Sequence, residues 1–213
     1  TLPLTANPKI GIGGNPLDNR YFEGGIDEVR VYSGVASTAQ MTQAMNETRP
    51  CPTAGPTVEY RFDNFHTFAP DAVLDSSGND NHGTAFTASN AQGLLCTAAD
   101  FSAAGDANYI VANSAALNGL SDFTAMAWIK TTQTHDSTIF SAASSNSGAG
   151  TNEAVFYFDD ANRFWPTITD SPFDTSTRLS SSSNINDGPW HQVVWTREAA
   201  TRESCFYVDG VLQ

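Results

Sequence analysis

Phe123-Thr-Ala-Met-Ala-Trp-Ile-Lys130 is the stretch that decides the fold, because it is an almost continuous apolar run of strand length. Such a run is typical of a β-strand that is covered on both faces. Two further strands are predicted downstream, over Trp190–Arg197 and Ser204–Asp209, with a polar turn containing Thr201 and Arg202 between them. This arrangement predicts a β-hairpin.

Shorter apolar segments predict additional strands, over residues 58–62, 109–111, 137–140 and 153–159. The segment Ile26–Tyr32 alternates in polarity. Strict alternation predicts one face with Ile26, Glu28, Arg30 and Tyr32, of which Glu28 and Arg30 are exposed, and an opposite face with Asp27, Val29 and Val31.

Helix signals are confined to Ser37–Met45, where Ser37 is a candidate N-cap. Many short strands and one short helix predict an all-β fold, a two-sheet antiparallel sandwich. Three prolines in Thr48–Pro56 are incompatible with a helix or a central strand. We therefore predict a linker over 48–56, which divides the chain into residues 1–47 and 57–213.

Composition restricts the classes of partner. The 213 residues carry 10 Lys and Arg against 23 Asp and Glu, so the formal charge is −13. Nucleic acid and anionic membrane surfaces need a basic footprint, so neither is an expected partner. No apolar run approaches the ~18 residues of a membrane helix, so no membrane insertion is expected. The low lysine content and the Ser-, Thr- and Asn-rich sequence favour an exported protein.

Several motifs together resemble bacterial laminin-G-like modules of the concanavalin A-like lectin/glucanase jelly-roll family. The opening and central elements are Tyr60–Asp63, Asp75–Gly83, Asp122–Lys130, Gly188–Trp195 and Phe206–Gly210. The closing elements of such a module are matched by Ile12–Asn15, Gly25–Tyr32 and the helix near 37–45. The resemblance implies a jelly-roll fold. The Cys-Pro pair before the opening strand, with Cys96 ahead of Asp100–Phe101, is similar to modules of mannose-sensitive haemagglutinin pilus biogenesis.

The order of these elements is unusual, since the closing strands come first in the chain. Residues 1–47 could be the tail of a preceding module, could dock into residues 57–213 of the same chain, or could dock into a second copy by strand exchange. A sandwich that lacks its last strands exposes apolar edges. We therefore favour docking, within the chain or between chains.

The resemblance also implies a structural calcium ion between opening and closing elements. Calcium prefers six to eight oxygen ligands. The candidate ligands are Asp27, Asp63, Asp75, Asn79 and Asn81. The alternative is that Asp75, Ser76 and Asn79 only cap a tight turn through side chain to backbone hydrogen bonds, with Gly78 at positive φ.

A loop-rich stretch after residue 161 offers the mixture of aromatic and polar groups that binds sugars. The candidate ligand-binding residues are Arg163, Phe164, Trp165, Asp170 and Phe173. The alternative is that Phe164 and Trp165 occupy opposite faces of a strand. Trp128, Trp190 and Trp195 are predicted as core residues, and His191 as a hydrogen-bonded structural group. A disulfide between Cys51 and Cys96 is one possible pairing, which would leave Cys205 as a buried thiol or as the partner of a cysteine outside this sequence.

Glycoside hydrolysis is not expected. Glu23 and Asp27 have the i, i+4 spacing of paired acids on one strand face, but Gly24 and Gly25 interrupt the strand between them.

Together, the motifs and the composition predict a non-catalytic carbohydrate- or surface-binding adhesion module of an exported, pilus-associated protein. Its location would be extracellular or in the cell envelope of a Gram-negative bacterium, and its partner a glycan or a cell-surface or pilus component. The alternative is a structural interaction domain of pilus biogenesis without a glycan ligand.

Overall fold

The computed structural model describes residues 9–15, 20–46, 56–63, 72–102, 108–112, 121–143, 153–159, 161, 163–169, 175–176, 179–180 and 184–213. The predicted linker lies almost entirely outside these residues, as do Cys51, Asp170 and Phe173. The predicted Cys51–Cys96 bridge is not formed in the structure, because Cys96 is a free thiol. The thiol of Cys96 is exposed and that of Cys205 is half-buried.

One helix and nineteen strands are formed by the described residues. They are β1 Lys9–Ile12, β2 Gly14–Asn15, β3 Arg20–Tyr21, β4 Gly25–Ser33, α1 Thr38–Asn46, β5 Val58–Tyr60, β6 Ala72–Val73, β7 Gly83–Phe86, β8 Ser89–Gln92, β9 Thr97–Asp100, β10 Tyr109–Ala112, β11 Phe123–Lys130, β12 Ser137–Ala143, β13 Glu153–Phe158, β14 Arg163–Thr169, β15 Thr175–Ser176, β16 Leu179–Ser180, β17 Trp190–Glu198, β18 Glu203–Val208 and β19 Val211–Leu212. Each strand predicted above has its counterpart among them, and the hairpin is β17–β18.

Most strands belong to two antiparallel sheets, which confirms the predicted all-β sandwich. The first sheet has the order β15-β14-β13-β12-β1-β10-β7-β6, and β16 also pairs with β14. The second has the order β19-β18-β17-β11-β4-β9-β8, and β5 also pairs with β4. The short strands β2 and β3 form a separate pair.

The closing strands occupy the interior of both sheets in the same chain. Strand β1 lies between β10 and β12, where Ile12 is opposite Ile110 and Phe140. Strand β4 lies between β11 and β9, and Val31 is opposite Ala125. Residues 9–46 thus complete the sandwich that residues 56–213 begin. Strand exchange with a second copy stays a prediction.

Aromatic side chains fill the space between the sheets. Trp195 is fully buried, with its ring at right angles to Phe123 at a centroid distance of 4.8 Å. The rings of Phe164 and Phe206 stack at 3.8 Å, and Phe156 contacts both of them and Trp195. Buried aromatic pairs of this kind stabilise by ~0.5–1.5 kcal/mol beyond the area they bury.

A β-bulge in β4 overturns the alternation predicted for Ile26–Tyr32. The register with β11 shifts between Met126 and Trp128, and Glu28 adopts a positive φ of 50°. An extra residue at this point turns the following side chains over. Ile26 therefore joins Val29 and Val31 in the core between the sheets.

The predicted exposure of Glu28 and Arg30 is also wrong, because both are buried, with relative exposures of 4% and 6%. They belong to a cluster of ion pairs. Arg30 donates from Nε to Glu59 Oε1 at 2.7 Å and from Nη2 to Glu28 Oε2 at 2.7 Å. Arg61 Nη2 donates to the other oxygen of Glu59 at 2.9 Å. One guanidinium thus neutralises two buried carboxylates and connects β4 to β5.

Replacing Arg30 by Met (Arg30→Met) should reduce the free energy of unfolding by about 3–5 kcal/mol, because Glu28 and Glu59 then remain buried without their shared partner. The matched control is Arg163→Met, whose side chain is 38% exposed. Its partner Asp159 is buried but keeps the amides of Ala161 and Arg163 as donors, so the loss should be only ~0–1 kcal/mol. Urea unfolding of both variants measures the difference. Equal costs would contradict the view that the buried cluster connects the two strands.

Helix α1 begins at the predicted N-cap. The amide of Gln40 donates to Ser37 Oγ at 3.3 Å, and the amide of Ser37 donates to Gln40 Oε1 at 2.8 Å, which is a reciprocal capping box. Met41 and Ala44 of the helix contact Met126 and Val194 on the outer face of the second sheet. Among the described residues, no helix has the length and apolar character needed to cross a membrane.

Candidate functional site

The outer face of the second sheet is covered by α1 at one end only. Under the helix, Met126 of β11 is buried, but Trp128 is half-buried and Lys130 is exposed further along the same strand. On β17, Trp190 pairs with Lys130 of β11 and is also half-buried. Of the three tryptophans predicted as core residues, only Trp195 lies between the sheets.

A groove of about 600 Å³ lies at this uncovered end of the sheet. Strand register places Trp190, Lys130, Gly25 and Asp100 in one row across four neighbouring strands, and this row forms the floor. The lining residues are Glu23, Gly24, Gly25, Ala91, Gln92, Asp100, Ser102, Lys130, Thr131, Thr132, Gln133, Thr134, His135, Gly188 and Trp190. Its size is within the usual range of small-molecule sites.

The position of the Trp190 ring depends on the missing side chain of Gly25. A Cβ atom at Gly25 would come within 2.9 Å of Trp190 Cη2. The indole therefore reaches across the end of β11 to β4, two strands away from its own. One face of a large aromatic ring is thus laid along the floor of a groove with polar walls.

The wall formed by residues 131–135 is held by hydrogen bonds to the segment before β4. Gln133 is 5% exposed; its Oε1 accepts from the amide of Glu23 at 2.6 Å, and its Nε2 donates to the carbonyl of Tyr21 at 3.1 Å. Thr131 Oγ1 donates to the Glu23 carbonyl at 2.5 Å. On the other side, Asn186 Nδ2 donates to the carbonyl of Gln133 at 2.9 Å. These contacts give the groove a fixed shape.

His191 orders the turn that carries Gly188 and Trp190, which confirms its predicted structural role. Its Nδ1 lies 2.7 Å from Asp209 Oδ2 and its Nε2 lies 3.0 Å from Asp187 Oδ1. Two carboxylates are satisfied together only by the doubly protonated imidazolium. Burial alone would lower the pKa of His191, but the hydrogen bonds and charges of Asp209 and Asp187 raise it above the ordinary value of 6.5.

The stability of the fold should therefore decrease as pH rises through the raised pKa of His191. Because the folded-state pKa exceeds the unfolded value of 6.5, the stabilisation is complete below pH 6.5 and is lost above the folded-state pKa. Urea unfolding of the wild type and of His191→Gln isolates this effect. The gap between the two free energies of unfolding should close with increasing pH, and a gap that is constant with pH would contradict the charged imidazolium.

The ligand-binding residues predicted from the sequence do not form a described surface. Phe164 is fully buried against Phe206, so its ring presents no face to a sugar, as the strand alternative implied. Arg163 donates from Nε to Asp159 Oδ2 at 2.8 Å, across the turn between β13 and β14. The side chain of Trp165 lies outside the described residues, as do Asp170 and Phe173.

Asp75 caps a tight turn, as the alternative to calcium binding predicted. Its Oδ1 accepts from the amides of Glu59 and Ser77, both at 2.9 Å. Its Oδ2 accepts from Ser77 Oγ at 2.7 Å and from the amide of Asn81 at 2.9 Å. Gly78 has the expected positive φ, 86°. Both carboxylate oxygens are thus already occupied by donors, which does not suit a metal ligand.

Asp27 is similarly engaged, since Oδ1 accepts from the amide of Glu28 at 2.8 Å and Oδ2 from the amide of Leu94 at 3.0 Å. Burial, followed by the charge of Glu28, raises the pKa of Asp27 to about 7, against the lowering effect of these backbone donors. Both oxygens of Asp27 thus hold backbone amides, one of its own strand and one of the turn at Leu94.

The remaining calcium candidates are Asp63, in the turn after β5, and Asn79 and Asn81, in the loop of Asp75. The side-chain amides of Asn79 and Asn81 both donate to the carbonyl of Thr57, at 3.2 and 2.9 Å. Among the described residues, no three His, Cys, Asp or Glu side chains are grouped so as to hold a metal ion. Calcium binding stays a prediction, and nothing in the groove depends on it.

The alternation of side chains along β17 could have placed Trp190 outside the core from the sequence alone. Trp190, Gln192, Val194 and Thr196 share one face of the strand, while Val193 and Trp195 share the core face. Trp190 shares its face with the polar residues Gln192 and Thr196, which indicates the outer face, whereas Trp195 shares the core face with Val193. Identifying the groove also required the pairing of β17, β11, β4 and β9, which lie far apart in sequence.

Two antiparallel sheets packed face to face are the architecture of a jelly-roll sandwich domain. Residues 104–213 match a laminin G family model described as the concanavalin A-like lectin/glucanases superfamily. The match spans more than half of the 213 residues, and the chain belongs to this superfamily. No curated protein and no solved structure matches the chain.

Proposed function

We propose that this protein is a non-catalytic carbohydrate-binding module and that the groove at Trp190 is its glycan site. The observation that carries the proposal is the half-buried indole laid over Gly25 among polar side chains. The apolar C–H face of a sugar stacks on such a ring, and amide, hydroxyl and carboxylate groups bind its hydroxyls. Gln92, Asp100 and Thr132 are suitable groups in the lining.

The state of the acids on β4 supports the absence of catalysis. A retaining hydrolase needs two available carboxyls ~5 Å apart. Asp27 is fully buried and holds two backbone amides, and Glu28 is committed to Arg30. Glu23 and Asp100 do line the groove, but Asp27, which the i, i+4 spacing paired with Glu23, does not. A panel of polysaccharides incubated with the protein should accordingly give no hydrolysis products.

The biological setting that we propose is adhesion at the cell surface or in the envelope of a Gram-negative bacterium. The Cys-Pro motif before β5 and the segment Cys96–Phe101 are similar to the pilus biogenesis protein MshQ. The second candidate function is a protein-interaction domain of such a pilus system. It is favoured by Val211 and Leu212, which are 59% and 58% exposed at the edge of the second sheet.

A glycan array with wild-type protein, followed by the variant Trp190→Ala, tests the glycan site. Loss of the stacking ring should weaken binding at least about tenfold, equivalent to ~1.4 kcal/mol. The matched control is Trp165→Ala, which removes a tryptophan from the stretch favoured by sequence alone. We expect this control to bind as the wild type does.

Three other outcomes would be decisive. Loss of binding in Trp165→Ala but not in Trp190→Ala would move the site to β14. Loss of binding in a chelator, with both variants unaffected, would assign the site to calcium. A folded protein that binds no glycan would favour the interaction domain.

A further inference from the structure

The floor of the groove contains an ammonium group that makes no ion pair with the acids of the site. Lys130 is exposed, and it lies between Trp190 and Gly25 in the row of paired residues. Within the part of the chain that the structure describes, no carboxylate lies within ion-pair distance of its ammonium group. The groove also contains two carboxylates, and each of them contacts a group other than Lys130. Glu23 Oε1 lies 3.6 Å from His135 Nε2, and Asp100 Oδ1 accepts from the amide of Ser102 at 2.9 Å.

An uncommitted lysine is unusual in this molecule. Acidic residues outnumber basic ones by 23 to 10, and Lys130 is one of only two lysines. Arg30, Arg61 and Arg163 are all engaged by carboxylates, at 2.7, 2.9 and 2.6 Å. A chain with so much negative charge has many acids that could pair with Lys130. Among the described residues, none of these acids reaches the ammonium group, which lies beside the ring of Trp190.

A positive charge next to a stacking ring selects for a ligand with matching chemistry. An ammonium group is a compact charge with three donors, which suits a carboxylate or a sulfate. The interaction must act at short range, because the formal charge of −13 repels anions at a distance. Within a groove, the nearby protein lowers the effective dielectric constant. The attraction of one close ion pair can therefore exceed the repulsion by the net charge.

We propose that the glycan recognised in this groove is acidic, with a carboxylate or sulfate group that pairs with Lys130 while the sugar ring stacks on Trp190. This inference rests on the proposed function and adds the class of ligand to it. Asp100 then accepts hydrogen bonds from hydroxyls in the neutral part of the sugar, and the amide of Gln92 accepts or donates them. Trp190 provides affinity for the ring, and Lys130 provides discrimination by charge.

The test measures binding to uronic-acid-containing, sulfated and neutral oligosaccharides. Each acidic ligand that binds is then compared with its neutral counterpart, the methyl ester of the uronic acid or the desulfated sugar. The acidic form should bind about five- to tenfold more tightly. In the variant Lys130→Gln this preference should disappear while the neutral counterpart binds as before. Whether the ester or the desulfated form loses affinity identifies the anionic group.

The control Arg202→Gln changes the net charge by the same amount in the turn between β17 and β18, away from the groove. It should leave the preference for the acidic form intact, and high salt should reduce that preference in the wild type.

The outcomes separate this inference from the function on which it rests. Equal binding of acidic and neutral forms, or an unchanged preference in Lys130→Gln, would overturn the role of Lys130 but leave the glycan site of Trp190 in place. Binding that is weakened by Trp190→Ala for both forms, with the preference lost only in Lys130→Gln, supports both. Failure of every oligosaccharide to bind the folded protein overturns both.

Discussion

The pairing of β4 with β11 is the interaction on which the rest of the structure depends. Strand β4 comes from the first part of the chain, but it lies at the centre of the second sheet and also pairs with β5 and β9. Its bulge at Glu28 directs Ile26, Val29 and Val31 into the core and turns Arg30 towards the buried cluster. Gly25 at its start gives the groove its floor. One strand thus links the core, the buried charges and the site.

The outer face of the second sheet has two parts, one covered by α1 and one open to solvent. Under α1 the outer face is dry, and Met126 and Val194 pack against the helix. Beyond the helix, the same strands present Trp128, Lys130 and Trp190 to solvent. Because β11 pairs with β17 without interruption from Phe123 to Lys130, the open half is held by the same ladder of hydrogen bonds as the covered half. A site on such a floor needs little reorganisation when a ligand binds, which reduces the entropic cost of binding.

The elements of the fold were predictable, whereas the geometry of β4 and the site were not. Phe123–Lys130 and the β17–β18 hairpin follow from apolar runs and turn residues, and Ser37 marks the helix start. The alternation rule failed at Glu28, because a bulge changes the face of every later side chain and leaves no period in the sequence. The same rule predicted an exposed Arg30 that is in fact buried. Trp190 was assigned to the core because hydrophobicity alone does not distinguish a sheet face covered by a helix from one left open.

Hydrogen exchange measured by mass spectrometry on the native protein tests most directly whether β4 is an integral strand of its own chain's sheet. The amides of Gly25–Ser33 and those of Phe123–Lys130 should exchange with the same slow rate, since both strands are interior and open only when the whole domain unfolds. Edge strand β19 should exchange much faster. Rapid exchange of Gly25–Ser33 beside a protected Phe123–Lys130 would contradict the account, because β4 would then be docked only loosely and the groove would lack its floor.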